Sequence, residues 1–195
     1  WNDTTMTEVP ELLQGAFALR GDPNRRRSAR LTQIFQATEY PATPTPDHVV
    51  LTWGDDPGST QSIQWRTSIA TEKGVVRYRI EGTQDWAQMK AETVRLENHN
   101  TINDPITNWH TVRLAGLKPG TKYEYQVGTD GESGWIDAAT FETAPDKAEP
   151  FSFIYLGDAQ AGFDAWGDLL HQCYKENPEA AFYVMAGDLV NKGNE

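Results

Sequence analysis

Two Gly-Asp dipeptides, Gly157-Asp158 and Gly187-Asp188, stand thirty residues apart, and each closes a short apolar run, FSFIYL and FYVMA. If those runs are neighbouring parallel strands, both carboxylates arrive at the carboxyl edge of one sheet, where open α/β sheets build their sites. Glycine lets the backbone turn sharply there, and two carboxylates brought together repel unless cations sit between them. Hard or borderline metal ions are the natural answer, and two carboxylates by themselves fit iron, zinc, manganese or magnesium. A single Gly-Asp is no more than a cap on the segment that follows a strand. A pair spaced by a helix makes Asp158 and Asp188 the candidate metal ligands.

The residues between the two dipeptides supply that helix. Phe163, Trp166, Leu169, Leu170, Cys173 and Tyr174 recur at steps of three and four, and Asn177-Pro178 stops the pattern. Strand, helix, strand implies a parallel pair joined by a right-handed crossover. Such a unit leaves a sheet face uncovered, so more chain or a partner is expected to cover it. Upstream, Ala144-Pro145-Asp146-Lys147-Ala148-Glu149-Pro150 reads as a linker. From Tyr40 to Pro145 the period is two rather than three to four. HVVLTW, QSIQWRTS, GVVRYRIEG, HTVRLAGL, TKYEYQVG and WIDAATFET alternate between turns at Asp55-Asp56-Pro57-Gly58, Lys118-Pro119-Gly120 and Thr129-Asp130-Gly131, which predicts an antiparallel sandwich. Trp53, Trp65, Tyr123 and Tyr125 read as its core, with Tyr123 placed like a tyrosine corner.

Composition narrows the function classes. The 195 residues carry a net charge of −11, a field that repels a phosphate backbone, so nucleic-acid binding is not expected. No run approaches a membrane span, and the N-terminal residues lack the form of a signal peptide. The start at Trp1 suggests that a leader or tag has been removed. The lone Cys173 excludes an internal disulfide and a cysteine zinc cage. Residues 1–40 read as an extension, with a short helix over VPELLQGAFAL, a solvated basic cluster at Arg25-Arg26-Arg27 and a weak glycosylation pattern at Asn2-Asp3-Thr4. His48, His99, His110 and His171 all precede the second Asp and are assigned structural or surface roles. GDAQAG lacks the glycine spacing of a dinucleotide site.

Taken together, the sandwich sequences VVLTWGDDPGSTQSIQWRTS and HTVRLAGLKPGTKYEYQVG, the proline-rich linker, Gly157-Asp158-Ala159-Gln160 and Gly187-Asp188-Leu189-Val190-Asn191 resemble the N-terminal portion of a purple-acid-phosphatase-like, calcineurin-like metallophosphoesterase. The resemblance implies a fibronectin III-like β sandwich over 41–146, followed over 147–195 by the first strand-helix-strand unit of an α/β metallophosphoesterase domain. It implies a phosphatase that hydrolyses phosphate esters through two divalent or mixed-valence metal ions, with a metal-held hydroxide attacking in line. Asp158 would then bind one metal and Asp188 bridge both.

Two positions depart from the pattern. The purple enzymes carry Tyr three residues after the bridging Asp, where this chain has Asn191, so no colour is expected; Asn191 would instead hydrogen-bond to the ligands. Gln160 replaces a Gly common after Gly-Asp-x. The remaining ligands of the family, Gly-Asn-His and later histidines, would lie beyond Glu195, and Gly193-Asn194-Glu195 is too close to Asp188 to supply them. The missing catalytic half is therefore expected from the same protein or a second chain, and this stretch alone is expected to be inactive. The resemblance also implies export, to a secreted, periplasmic or cell-surface location. The competing reading is a binding or adhesion sandwich with a structural α/β extension, which would have no reason to carry the paired Gly-Asp.

Overall fold

The computed structural model describes residues 37–98, 101–129 and 134–189. Residues 1–36 of the extension, His99, Asp130-Gly131 of the expected turn, Asn191 and the Gly193-Asn194-Glu195 terminus lie outside the described residues.

Alternation of apolar and polar side chains builds two antiparallel sheets. Strands β1 (Asp47–Thr52), β2 (Thr60–Ser68), β3 (Gly74–Ile80), β4 (Ala87–Lys90), β5 (Glu92–Glu97), β6 (Ile106–Ala115), β7 (Lys122–Thr129) and β8 (Ala139–Glu142) follow one another along the chain. One sheet has the order β1-β2-β6-β5 and the other β4-β3-β7-β8. This division is that of the immunoglobulin and fibronectin sandwiches. The clearest alternation lies on β2, where Gln61, Ile63, Trp65 and Thr67 are buried in turn, and on β6, where Asn108, His110, Val112 and Leu114 face the same interior. Val76, Tyr123, Tyr125, Val127 and Phe141 meet them from the opposite sheet.

Tyr123 forms the expected corner. Its hydroxyl accepts the Lys118 backbone N–H at 2.9 Å while its ring stacks on Phe141 at 5.3 Å, tying the turn at Pro119-Gly120 to the sheet. Before β1, the chain is strapped to the sheet edge. Thr38 and Asn103 exchange two hydrogen bonds, Asp104 accepts from the Ala42 N–H, and Arg66 reaches both Asp47 and the Tyr40 carbonyl.

Three sequence expectations are corrected. Strands β4 and β5 were absent from the clear alternating runs, because AQMK and ETVRLE are edge segments whose side chains are mostly exposed and carry little apolar signal. WIDAATFET yields only the four residues of β8. Trp53 is not core: it lies just past the end of β1 and is 44% exposed, packing edge-on against Phe182 at 5.2 Å. Trp65, Tyr123 and Tyr125 are buried as expected.

His110 fills a structural role. It is fully buried, its ring stacked on Trp65 at 5.3 Å, and its two nitrogens each meet a threonine hydroxyl at 2.8 Å, Thr67 on one side and Thr93 on the other. One nitrogen donates and the other accepts, so the pair of hydroxyls satisfies the neutral ring. Burial pushes the His110 imidazole below its ordinary value of 6.5. A depressed folded pKa favours the native state above the unfolded value and is lost as pH falls below it, when the unfolded chain takes up a proton that the core refuses. The sandwich is therefore expected to lose stability as pH falls below about 6.5. This lies well above the window of a carboxylate such as Asp56, which hydrogen bonds from Ser59 and Gly58 hold below 3.8. Melting temperatures from pH 7 to 5 check this: His110→Gln should be less stable throughout yet flatter across that interval, and an equal slope would contradict it.

After Glu142 the architecture changes. Strand β9 (Ile154–Leu156), helix α1 (Phe163–Glu176) and strand β10 (Tyr183–Met185) follow, and β9 and β10 pair in parallel with Tyr183 opposite Ile154 and Met185 opposite Leu156. The helix opens at Gly162 in the left-handed region and closes at Asn177, whose backbone N–H and side-chain amide both donate to the Cys173 carbonyl; Pro178 then prevents continuation. None of its residues is fully buried. Trp166, Leu170 and Cys173 are partly covered, whereas Phe163, Leu169 and Tyr174 are exposed, as is Tyr155 on β9. The parallel pair thus leaves apolar surface open, the outcome its size dictates. At its amino-terminal edge Phe182 stacks on Phe153 at 5.2 Å and touches Phe151 and Trp53, joining the unit to the sandwich.

Candidate functional site

Both Gly-Asp turns leave the carboxyl ends of the parallel pair, side by side. The Ala186 N–H donates to the Leu156 carbonyl at 2.7 Å, Asp158 N–H to the Gly187 carbonyl at 3.4 Å, and Gln160 N–H to the Asp188 carbonyl at 3.0 Å. The pairing that joins the strands therefore continues into the turns. The two glycines serve different ends. A Cβ on Gly157 would stand 2.6 Å from the Ala186 carbonyl oxygen, so only glycine permits this approach, while Gly187 takes φ 75° to reverse the chain.

The aspartates themselves adopt left-handed backbone, Asp158 at φ 58° and Asp188 at φ 45°. Among the described residues His48 is the only other non-glycine there. Asp tolerates that region better than most side chains, and such conformations gather at functional turns because the surroundings must hold them. Both side chains are exposed. As donors they offer hard oxygens, which suit a divalent or trivalent cation, and no third His, Cys, Asp or Glu joins them in a metal-sized group among the described residues. Two carboxylates on adjacent strand ends fit part of a metal's coordination shell, not all of it.

The histidines lie elsewhere. His110 is locked in the sandwich core, His48 packs edge-on to Trp109 and sits 3.1 Å from an Asp47 carboxylate oxygen, and His171 is exposed on α1. Gln160 is a contributor that the sequence marked only as a departure. Its side chain and backbone both reach the second turn, a relation invisible until β9 and β10 are paired.

The sequence model for the Purple acid Phosphatase, N-terminal domain, matches residues 46–143, half of the chain and the whole of the eight-strand sandwich up to Thr143. The chain belongs to the purple acid phosphatase family. A curated relative, the Fe(3+)-Zn(2+) purple acid phosphatase 12 of Arabidopsis thaliana, is 26% identical over 163 residues, covering 81% of this chain and 32% of the relative. The chain thus spans about a third of the length of the purple acid phosphatase it matches, and the match extends beyond the sandwich. Among solved structures, the fn3 domain of human contactin 1 aligns at 19% identity with a TM-score of 0.38, covering 65% of this chain and 98% of that one. The FN3 domain of human collagen XX aligns at 17% identity and a TM-score of 0.35, covering 55% and 99%. At that level the likenesses support no inference, and the sandwich stands on its strand order and register.

Proposed function

We propose that the protein is the front part of a metal-dependent phosphatase, with the sandwich over 41–146 preceding the N-terminal part of a metallophosphoesterase domain over 147–195. The observation that carries this reading is the junction of the two Gly-Asp turns, which puts two exposed carboxylates on the carboxyl edge of one parallel pair. Family membership weighs in the same direction and against a free-standing adhesion module, which has no use for that junction.

In this reading Asp158 would hold one metal ion, Asp188 would be shared by two, and Asn191 would support the ligands by hydrogen bonding. The relative's name pairs iron with zinc, and manganese or magnesium also suits oxygen donors. When bound, the ions supply charge that offsets the build-up on phosphate oxygens and activate the attacking water. The chain's own part is to hold two carboxylates on rigid strand ends and keep them open to solvent, where a phosphate ester can enter. The other ligands come from sequence beyond Glu195 or from a second chain. A secreted, periplasmic or cell-surface location accords with this assignment; among the described residues no helix is long and apolar enough to cross a membrane.

The test compares hydrolysis of p-nitrophenyl phosphate by the 195-residue chain and by the protein extended to the relative's length. Steady turnover is expected only from the longer protein, lost on chelation and restored by added metal. Turnover by material that mass analysis shows to end at Glu195, or chelator-resistant turnover by the longer protein, would overturn the proposal.

A further inference from the structure

The side chain of Gln160 lies between the two aspartate turns, and the bonds it can make decide which way round its carboxamide stands. In one orientation, Nε2 donates to Asp188 Oδ2 at 3.4 Å. With the carboxamide turned over, Nε2 takes the place of Oε1 and donates to the Asp158 carbonyl at 3.2 Å and also to the Asp188 carbonyl. The first makes one long contact and leaves Oε1 facing two carbonyl oxygens; the second turns both of those approaches into hydrogen bonds that span the two turns, so it is favoured. The backbone adds a third link, since the Gln160 N–H donates to the Asp188 carbonyl at 3.0 Å.

We infer that Gln160 is a positioning residue that braces the two aspartate turns against one another. The inference rests on the metal-centre reading of Asp158 and Asp188. In the double orientation the amide nitrogen donates to two main-chain carbonyls rather than to the Asp188 carboxylate, so this donor takes no carboxylate oxygen from a cation. Both carbonyls belong to residues in left-handed backbone, Asp158 and Asp188, which need support from outside their own turns. A brace made before any cation arrives removes the ordering cost from the binding step, which is how groups behind a metal ligand raise affinity. A glycine at this position would leave the backbone link and lose both side-chain links.

The test replaces Gln160 by Met, which keeps length and bulk without donors, and by Ala. In the 195-residue chain, amide hydrogen exchange reports the brace without any metal. Exchange at Asp158 and Gln160 should speed by about fivefold to tenfold, the worth of one lost hydrogen bond. The Ala186 amide, bonded to Leu156 within the strand pair, should not change. In the full-length metal-free protein, Mn²⁺ titrated by calorimetry should bind about 10- to 100-fold more weakly to both variants. Unchanged exchange and affinity in Gln160→Met, while Asp158→Asn and Asp188→Asn lose Mn²⁺, would overturn the brace and leave the metal centre standing. Aspartate variants that bind Mn²⁺ as the parent does would overturn the metal-centre reading and this inference with it.

Discussion

On the proposed metal-centre reading, Asp188→Asn in the full-length protein is expected to abolish tight binding of both metals and to cut phosphatase turnover on the order of 10²- to 10³-fold, the scale at which losing one charge-stabilising group acts on a transition state. Asp158→Asn should cost less, because it weakens one metal chiefly, whereas a carboxylate between two cations both holds them and offsets their repulsion. Asn is the informative replacement. It keeps the shape of the side chain and shares the tolerance of Asp for left-handed backbone, which matters at φ 45°; a β-branched residue would add strain unrelated to metal. Neither change should unfold the protein, since both carboxylates are exposed and substitutions at such positions stay within about 0.5 kcal/mol. In the metal-free state, removing one of two neighbouring negative charges relieves repulsion, so melting temperature should be equal or slightly raised. Metal stoichiometry, turnover and melting temperature, measured together on both variants, decide the matter. An Asp188→Asn enzyme with two tightly held metals and near-normal rate would sink the bridging assignment.

The largest effect on stability is expected from Trp65→Ala. Trp65 is fully buried at the middle of β2, stacks on His110 and packs in the cluster with Ile63, Val76, Val112 and Leu114. Truncating a buried aromatic to Ala costs about 3–5 kcal/mol, through lost transfer energy and the cavity left behind. For a domain of this size such a loss lowers the melting temperature by roughly 15–25 °C. Its indole Nε1 is buried with no acceptor among the described residues, so the loss is one of packing rather than of a hydrogen bond. That distinction is testable with Trp65→Phe, which discards an unpaired donor along with part of the ring and should cost clearly less than Ala. Thermal unfolding followed by circular dichroism gives both values; a Trp65→Ala protein within about 1 kcal/mol of the parent would show that the core does not depend on this side chain.

Different parts of the molecule were legible to different degrees. Strands β2, β6 and β7 announce themselves because each buries one face, and a period of two is the direct imprint of that burial on sequence. The corner at Tyr123 was readable because its geometry is local, a hydroxyl reaching five residues back to Lys118. Helix α1 was readable from its apolar spacing and from Asn177-Pro178, which also act locally. Strands β4 and β5 were not, since an edge strand is held by its neighbour's backbone and needs no apolar face. Trp53 was misread for a related reason: side-chain type does not say whether a residue beyond a strand's end turns inward or meets a later segment, and only the placement of Phe182 settles it.

At the candidate site, the sequence by itself determined which residue types recur at which spacing. Gly157-Asp158 and Gly187-Asp188 each end an apolar run, and that pattern depends only on the chain. Tertiary structure decided that the two turns touch, that Gly157 is required by the Ala186 carbonyl rather than by a turn, and that Gln160 crosses from one turn to the other. It also decided that both ring nitrogens of His110 are taken up by Thr67 and Thr93 in the sandwich core. The physical reason is the range of the forces involved. Periodicity and turn chemistry are set by neighbours a few residues away, whereas a hydrogen bond between residues 160 and 188 exists only after a helix has carried the second strand back beside the first.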